Sequence, residues 1–193
     1  NRKAQADGEQ SIAEARKRWQ AFADRFGAKP GAPYDRDPAF AATLADVAKV
    51  YLAADNQIRA GKLTEAHETL EEARDLMAQL RRRNGVITYS DHMNAYHAQM
   101  EHVLDDGGKL LAQPAGTLQL MAQVGVLEFL AQRLKSEAPK AVAASPEFPA
   151  MLAAVEGSVG LLKKATLAQD QAQIKDALGK LKGPYSKLFL NFG

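Results

Sequence analysis

Apolar residues recur every three to four positions along most of the chain, and this spacing predicts helices. In the first such segment, Ile12, Trp19 and Phe26 fall on one helical face. Ser11 followed by Glu14 forms a capping box, which predicts a helix that begins at Ser11 and runs through Phe26. The two-residue alternation of a half-buried strand is nearly absent. We therefore predict an all-α protein.

Later segments carry their own start and stop signals, in which polar N-cap residues open a helix and Gly or Pro closes it. These signals predict further helices over about 38–60, 64–83, 90–106, 117–136, 145–166 and 170–182, followed by a last helical turn over about 185–192. Asn84-Gly85 supplies the left-handed residue that ends one helix, and Gly107-Gly108 is predicted to break the next.

Together the segments predict an antiparallel helical bundle of about seven helices. The glycine pair at 107–108, followed by Pro114, marks the predicted boundary between two halves. Residues 1–106 would form the half that carries the histidines, and residues 107–193 would form a second half that closes the bundle. A single domain with two lobes is the alternative.

Composition excludes several classes of site. The chain has 193 residues, of which 46% are hydrophobic and 25% charged, as in ordinary globular proteins. Its formal net charge of +2 is too small to indicate a nucleic-acid partner. Without cysteine there is no thiolate zinc site, iron–sulfur cluster, covalent haem or disulfide. No apolar run is long enough to span a bilayer, and the oligomeric state is left open.

Two copies of one short pattern, His67-x-x-x-Glu71 and His97-x-x-x-Glu101, lie on either side of the Asn84-Gly85 turn. Residues four apart share one face of a helix, so the two side chains of each pair point the same way. If the chain folds back at that turn, His67 would meet Glu101 and Glu71 would meet His97. Imidazole and carboxylate groups together suit zinc, copper or iron. The sequence therefore predicts these four residues as ligands of a transition metal ion.

Further donors and a competitor lie beside this cluster. Met93, Met100 and His102 are supporting or alternative metal donors, because methionine and histidine together favour copper. Arg74 follows Glu71 by one helical turn and would withdraw that carboxylate from a metal by pairing with it. The alternative to a metal site is thus an ordinary network of ion pairs and hydrogen bonds, and a proton-transfer role is a further alternative.

Non-covalent haem is a third interpretation of the same residues. Antiparallel helices with available Met and His side chains are similar to the helical-bundle cytochromes of the soluble b-type and c′-type, a resemblance of architecture alone. The resemblance implies His97 as an axial haem ligand, with Met77, Met93 or Met121 as the second.

No phosphate-binding glycine loop, nucleophile elbow or His-Glu-x-x-His motif occurs, so we expect no enzyme activity. The chain starts at Asn1 rather than Met, with a polar segment, which either a cleaved export signal or a trimmed chain would explain. We expect a periplasmic carrier or accessory protein that transports iron, copper or zinc, with a partner protein that delivers or receives the metal. The alternatives are a structural or protein-interaction module without metal and a b-type haem electron carrier.

Overall fold

The all-α prediction is confirmed. The computed structural model describes residues 2–193, and within this range the chain forms helices and no strands. It divides into two compact units, one ending at Ile87 and one running from Thr88 to Gly193. The division therefore falls at 87/88, whereas the glycine pair predicts it at 106/107.

Three long helices build the first unit: α1 (Arg2–Phe26), α2 (Phe40–Arg59) and α3 (Leu63–Arg83). Both α1 and α3 pack on α2, which is the central helix of this unit. The turn from α2 to α3 contains Gly61 at φ +76°, a left-handed conformation that favours glycine. The apolar stripes that the sequence predicts become the core, which includes Ile12, Phe40, Leu44, Val47, Ala54, Ala66, Ala73 and Leu80.

The predicted start of α1 is wrong, because α1 begins at Arg2 and Ser11 lies inside it. The Ser11 hydroxyl donates a 2.8 Å hydrogen bond to the Asp7 carbonyl one turn earlier, which a serine within a helix does as readily as it caps one. The early turns are anchored on α2, where the Gln5 side-chain amide donates to the Arg59 carbonyl at 3.1 Å. This contact lies 54 residues away in sequence, so local start signals do not reveal it.

The second unit is a bundle of α4 (Tyr89–Leu110), α5 (Gly116–Ser136), α7 (Phe148–Leu167) and two shorter helices, α8 (Gln171–Gly179) and α9 (Lys182–Phe192). A short α6 (Lys140–Ala143) connects α5 to α7. The helices pack in sequence, α4 on α5, α5 on α7, and α7 on both α8 and α9. In consequence α8 and α9 share the place of a fourth bundle helix. Tyr185 and Leu188 are buried, so the aromatic end of the chain packs on this bundle.

Gly107-Gly108 does not break a helix, because α4 continues through both residues to Leu110. A Cβ atom at Gly107 would lie 2.8 Å from Leu178 Cδ1, so this glycine lets α8 approach α4 closely. At Gly108 an added Cβ would meet nothing within 4 Å. Gly107 thus serves packing between helices. In the local sequence, a glycine that permits close packing looks the same as a glycine that ends a helix.

Replacing each glycine by alanine separates these two effects. Gly108→Ala should stabilise the protein by up to about 1 kcal/mol, because alanine is the better helix former and has room there. Gly107→Ala should be less stable than Gly108→Ala by about 1 kcal/mol or more, since its methyl group crowds Leu178. Urea unfolding followed by circular dichroism measures both. Equal stability of the two variants would contradict the close contact between α4 and α8.

None of the helices in the described range combines the length and the apolar character that crossing a bilayer requires.

Candidate functional site

The first histidine–glutamate pair lies on α3, in the first unit. His67 Nε2 is 3.8 Å from Glu71 Oε1, and 75% of the His67 side chain is exposed. Arg74 Nη1 lies 3.6 Å from the same Glu71 oxygen. Arg74 is therefore placed to pair with Glu71, as the sequence predicts, and the His67 imidazole is mostly exposed to solvent.

The second pair lies on α4, in the second unit, and is more enclosed. His97 Nε2 is 3.4 Å from Glu101 Oε1, and only 15% of the His97 side chain is exposed. The imidazole packs against the Tyr185 ring of α9, with 5.5 Å between ring centroids. Tyr185 in turn stacks on the buried Tyr96 and donates a 2.9 Å hydrogen bond to the Met93 carbonyl. This histidine is thus held between its own helix and α9.

Lys182, at the start of α9, is the cation that faces Glu101. Its Nζ lies 3.0 Å from Glu101 Oε1. Burial alone would raise the pKa of the Glu101 carboxyl, but the positive charge of Lys182 and the neighbouring His97 outweigh burial and lower this pKa below its ordinary value of 4.5. The carboxylate is therefore ionised and already paired near neutral pH.

The supporting donors separate into two groups. Met93 and Met100 are fully buried in the core of the second unit, where they pack as ordinary apolar side chains. His102 is 54% exposed on the same helix, and its Nδ1 lies 3.4 Å from Asp106. Its Nε2 lies 3.2 Å from the Gln123 side-chain amide. These three residues therefore occupy different environments, although they come from one helix.

The structure forms both predicted intrahelical pairs but places each in a different unit. Among residues 2–193, no three His, Asp or Glu side chains form a group that could hold a metal ion. The four-residue ligand set His67, Glu71, His97 and Glu101 accordingly stays a prediction.

Sequence reasoning missed Lys182 and Tyr185 as neighbours of the α4 pair. Both lie more than 80 positions after the residues they contact, and the sequence suggests only that Lys182 is a solvated lysine of an amphipathic helix. The one available signal is the aromatic run at the chain end, because large apolar residues rarely stay exposed together and therefore pack on some helix.

Comparison of the chain with protein-family models, with curated proteins and with solved structures found no match to any of them.

The ion pair between Lys182 and Glu101 predicts a pH dependence of stability. Because the folded pKa of Glu101 is lowered, the pair stabilises the fold above the unfolded pKa, and this contribution is lost as pH falls through the folded pKa. Lys182→Met should therefore destabilise the protein near neutral pH, with a difference from wild type that shrinks as pH falls below the ordinary glutamate value of 4.5. It should also move the Glu101 pKa up towards 4.5, measured by carbon NMR titration of the carboxyl group.

Lys180→Met is the matched control, because Lys180 pairs with Asp176 on α8 and not with Glu101. It should leave the Glu101 titration unchanged. An unchanged Glu101 pKa in Lys182→Met would contradict the assignment of Lys182 as the stabilising cation.

Proposed function

We propose that the protein is a non-catalytic protein-interaction module, and that the outer faces of α5 and α7 in the second unit form its docking surface. The observation that supports this proposal is that both helices carry an apolar face in addition to the one they bury. We name this outer surface the α5–α7 face.

On α5, the inward face is made of Leu120, Val124, Leu127, Ala131 and Leu134, all buried. The exposed positions carry no charge over several turns, and the half-buried Glu128 is paired with Lys163 of α7 at 2.7 Å. Leu118 is 73% exposed and Phe129 is 57% exposed. The exposed residues between positions 118 and 132 are Leu118, Gln119, Ala122, Gly125, Val126, Phe129 and Gln132.

The outward side of α7 is also uncharged along most of its length, but its side chains are small. The exposed residues between positions 149 and 161 are Pro149, Ala150, Ala153, Ala154, Gly157, Gly160 and Leu161. An added Cβ at Gly157 or Gly160 would meet nothing within 4 Å, so these glycines do not serve packing inside the unit. They leave a shallow, open track on the surface of the helix.

A helix that is apolar all round is normally buried on all sides. Here two neighbouring helices bury one side in the bundle and leave the other in solvent, which is typical of an interaction surface. Because the large side chains of α5 and the small ones of α7 occur on the same unit, we propose a second copy of the chain as the partner. A two-fold axis would place the α5 ridge of each copy in the α7 track of the other.

Light scattering coupled to gel filtration tests this proposal. The full chain should elute as a dimer, and both Phe129→Ser and Gly157→Leu should shift it to monomer. The first substitution removes part of the ridge, and the second fills the track without disturbing the unit, since Gly157 has open space around it. Leu190→Lys is the control, because Leu190 is 83% exposed on α9, outside the α5–α7 face. A monomeric wild type, or a dimer that only Leu190→Lys dissociates, would contradict the proposal.

A transition-metal carrier is the second candidate, and the histidine–glutamate pairs on α3 and α4 support it. In each pair an imidazole nitrogen lies within 3.8 Å of a carboxylate, so two donors of suitable chemistry already face the same way. The cations beside Glu71 and Glu101 act against it, because a metal would have to displace Arg74 and Lys182 from these oxygens. We therefore favour the interaction module over a periplasmic metal carrier with a delivery partner.

Calorimetric titration with Zn(II), Cu(II) and Fe(II) separates the two candidates. A carrier should bind one ion with submicromolar affinity, and His97→Ala should weaken binding at least about tenfold, since it removes one ligand of the set. His92→Ala is the control, because His92 lies outside the predicted ligand set. Absence of saturable binding, or equal weakening by the two variants, would contradict the carrier function.

A further inference from the structure

A groove lies between α1 and α2 in the first unit. Its volume is about 540 Å³, within the range of sites that hold small organic ligands. The residues that carry its chemistry are Arg16, Lys17 and Trp19 on α1, and Lys49, Tyr51 and Arg59 on α2. The groove is independent of the histidine region and of the α5–α7 face.

Asp55 organises one end of this groove. It is 3% exposed, and its carboxylate accepts hydrogen bonds from two guanidinium groups, from Arg59 Nε at 2.8 Å on one oxygen and from Arg16 Nη1 on the other. A buried carboxylate requires such partners, so the pairing holds both arginines in fixed positions. Within the part of the chain that the structure describes, neither guanidinium makes another hydrogen bond or ion pair. The remaining N–H groups are thus available to a ligand.

The charge around the groove selects the sign of that ligand. Four cationic side chains line it, namely Arg16, Lys17, Lys49 and Arg59, and Asp55 is its one acidic lining residue among those described. Lys49 is already paired with Asp46 at 2.8 Å, so the positive charge of the groove comes from Arg16, Lys17 and Arg59. The planar fork of an arginine matches the oxygens of a carboxylate or phosphate, and two such forks held side by side strengthen the match. The groove is therefore complementary to an oxyanion.

Two aromatic rings form a corner beside these charges. Trp19 and Tyr51 meet edge to face, with 5.9 Å between centroids and 86° between ring planes. The Trp19 ring is fixed, because its Nε1 donates a 2.9 Å hydrogen bond to the Leu44 carbonyl. Burial raises the pKa of the Tyr51 phenol, so its hydroxyl keeps its proton and can donate to a ligand.

We infer that the α1–α2 groove binds a small oxyanion that carries a flat ring. Arg16 and Arg59 hold the charged oxygens, Lys17 adds long-range attraction, and the Trp19–Tyr51 corner packs against the ring. An aryl phosphate and an aryl carboxylate share this chemistry. A ligand with a net positive charge is disfavoured by Arg16, Lys17 and Arg59, which outnumber the single Asp55.

The single tryptophan of the chain provides a direct readout, because Trp19 lies in the groove and no other tryptophan contributes to the fluorescence. The probe is phenyl phosphate, titrated into the full chain at constant ionic strength. We expect a saturable change in Trp19 emission. Arg16→Gln and Arg59→Gln should each weaken binding about tenfold or more, as the loss of one charged hydrogen-bond donor does.

Arg18→Gln is the matched control, because it also removes one positive charge from α1. Arg18 pairs with Glu14 outside the groove. This variant should leave the affinity within twofold of wild type. Tyr51→Phe keeps the ring and removes only the hydroxyl donor without touching the ion pairs, and should weaken binding severalfold. Each arginine variant should stay folded, because Asp55 keeps its other arginine partner. Thermal unfolding of each variant checks this.

Comparison ligands separate the charge from the ring. Inorganic phosphate should bind more weakly than phenyl phosphate, and benzoate should compete with phenyl phosphate for the same site. Equal binding of inorganic phosphate and phenyl phosphate would overturn the assignment of the ring. Absence of a saturable signal, or weakening by Arg18→Gln as large as that by Arg16→Gln, would overturn the groove as a binding site.

Discussion

Helices α5 and α7 cannot bury all of their apolar surface inside one small bundle, and this constraint shapes the proposed function. Each contributes one full apolar face to the core of the second unit. Leu118 and Phe129 on α5 remain exposed on the other side, and the small residues of α7 face the same solvent. Since exposed apolar surface is removed from water most simply by association, the sequence of these helices favours a partner.

Paired charges have different consequences in the two units. In the first unit, the buried Asp55 fixes Arg16 and Arg59 at the wall of a cavity, so its ion pairs prepare a surface for a ligand. In the second unit, Glu101 lies on a helix surface, where Lys182 neutralises it and competes with any metal. Whether such an ion pair prepares a ligand site therefore depends on how deeply the carboxylate is buried and on whether a cavity lies beside it. Residue type alone does not decide this.

Local features of the fold were predictable from the sequence, and contacts between distant segments were not. Asp170 caps α8 as predicted, accepting hydrogen bonds from two backbone amides, and α3 ends before Gly85 at φ +69°. The local sequence predicts a helix stop at Gly107, because its neighbour Leu178 lies 71 positions away and leaves no local signal. The Asp55–Arg59 spacing was visible on one helix, but Arg16 reaches Asp55 from another helix, 39 positions earlier. The groove therefore depends on packing that periodicity does not encode.

The most direct test of the account is an intermolecular distance measurement across the α5–α7 face. Because the chain has no cysteine, Gln132→Cys places a single spin label on the exposed side of α5. Double electron–electron resonance should then give a narrow distance distribution between two copies, and dilution with unlabelled protein should reduce its amplitude. A spectrum without an intermolecular dipolar signal, at concentrations where gel filtration is run, would contradict association through this face.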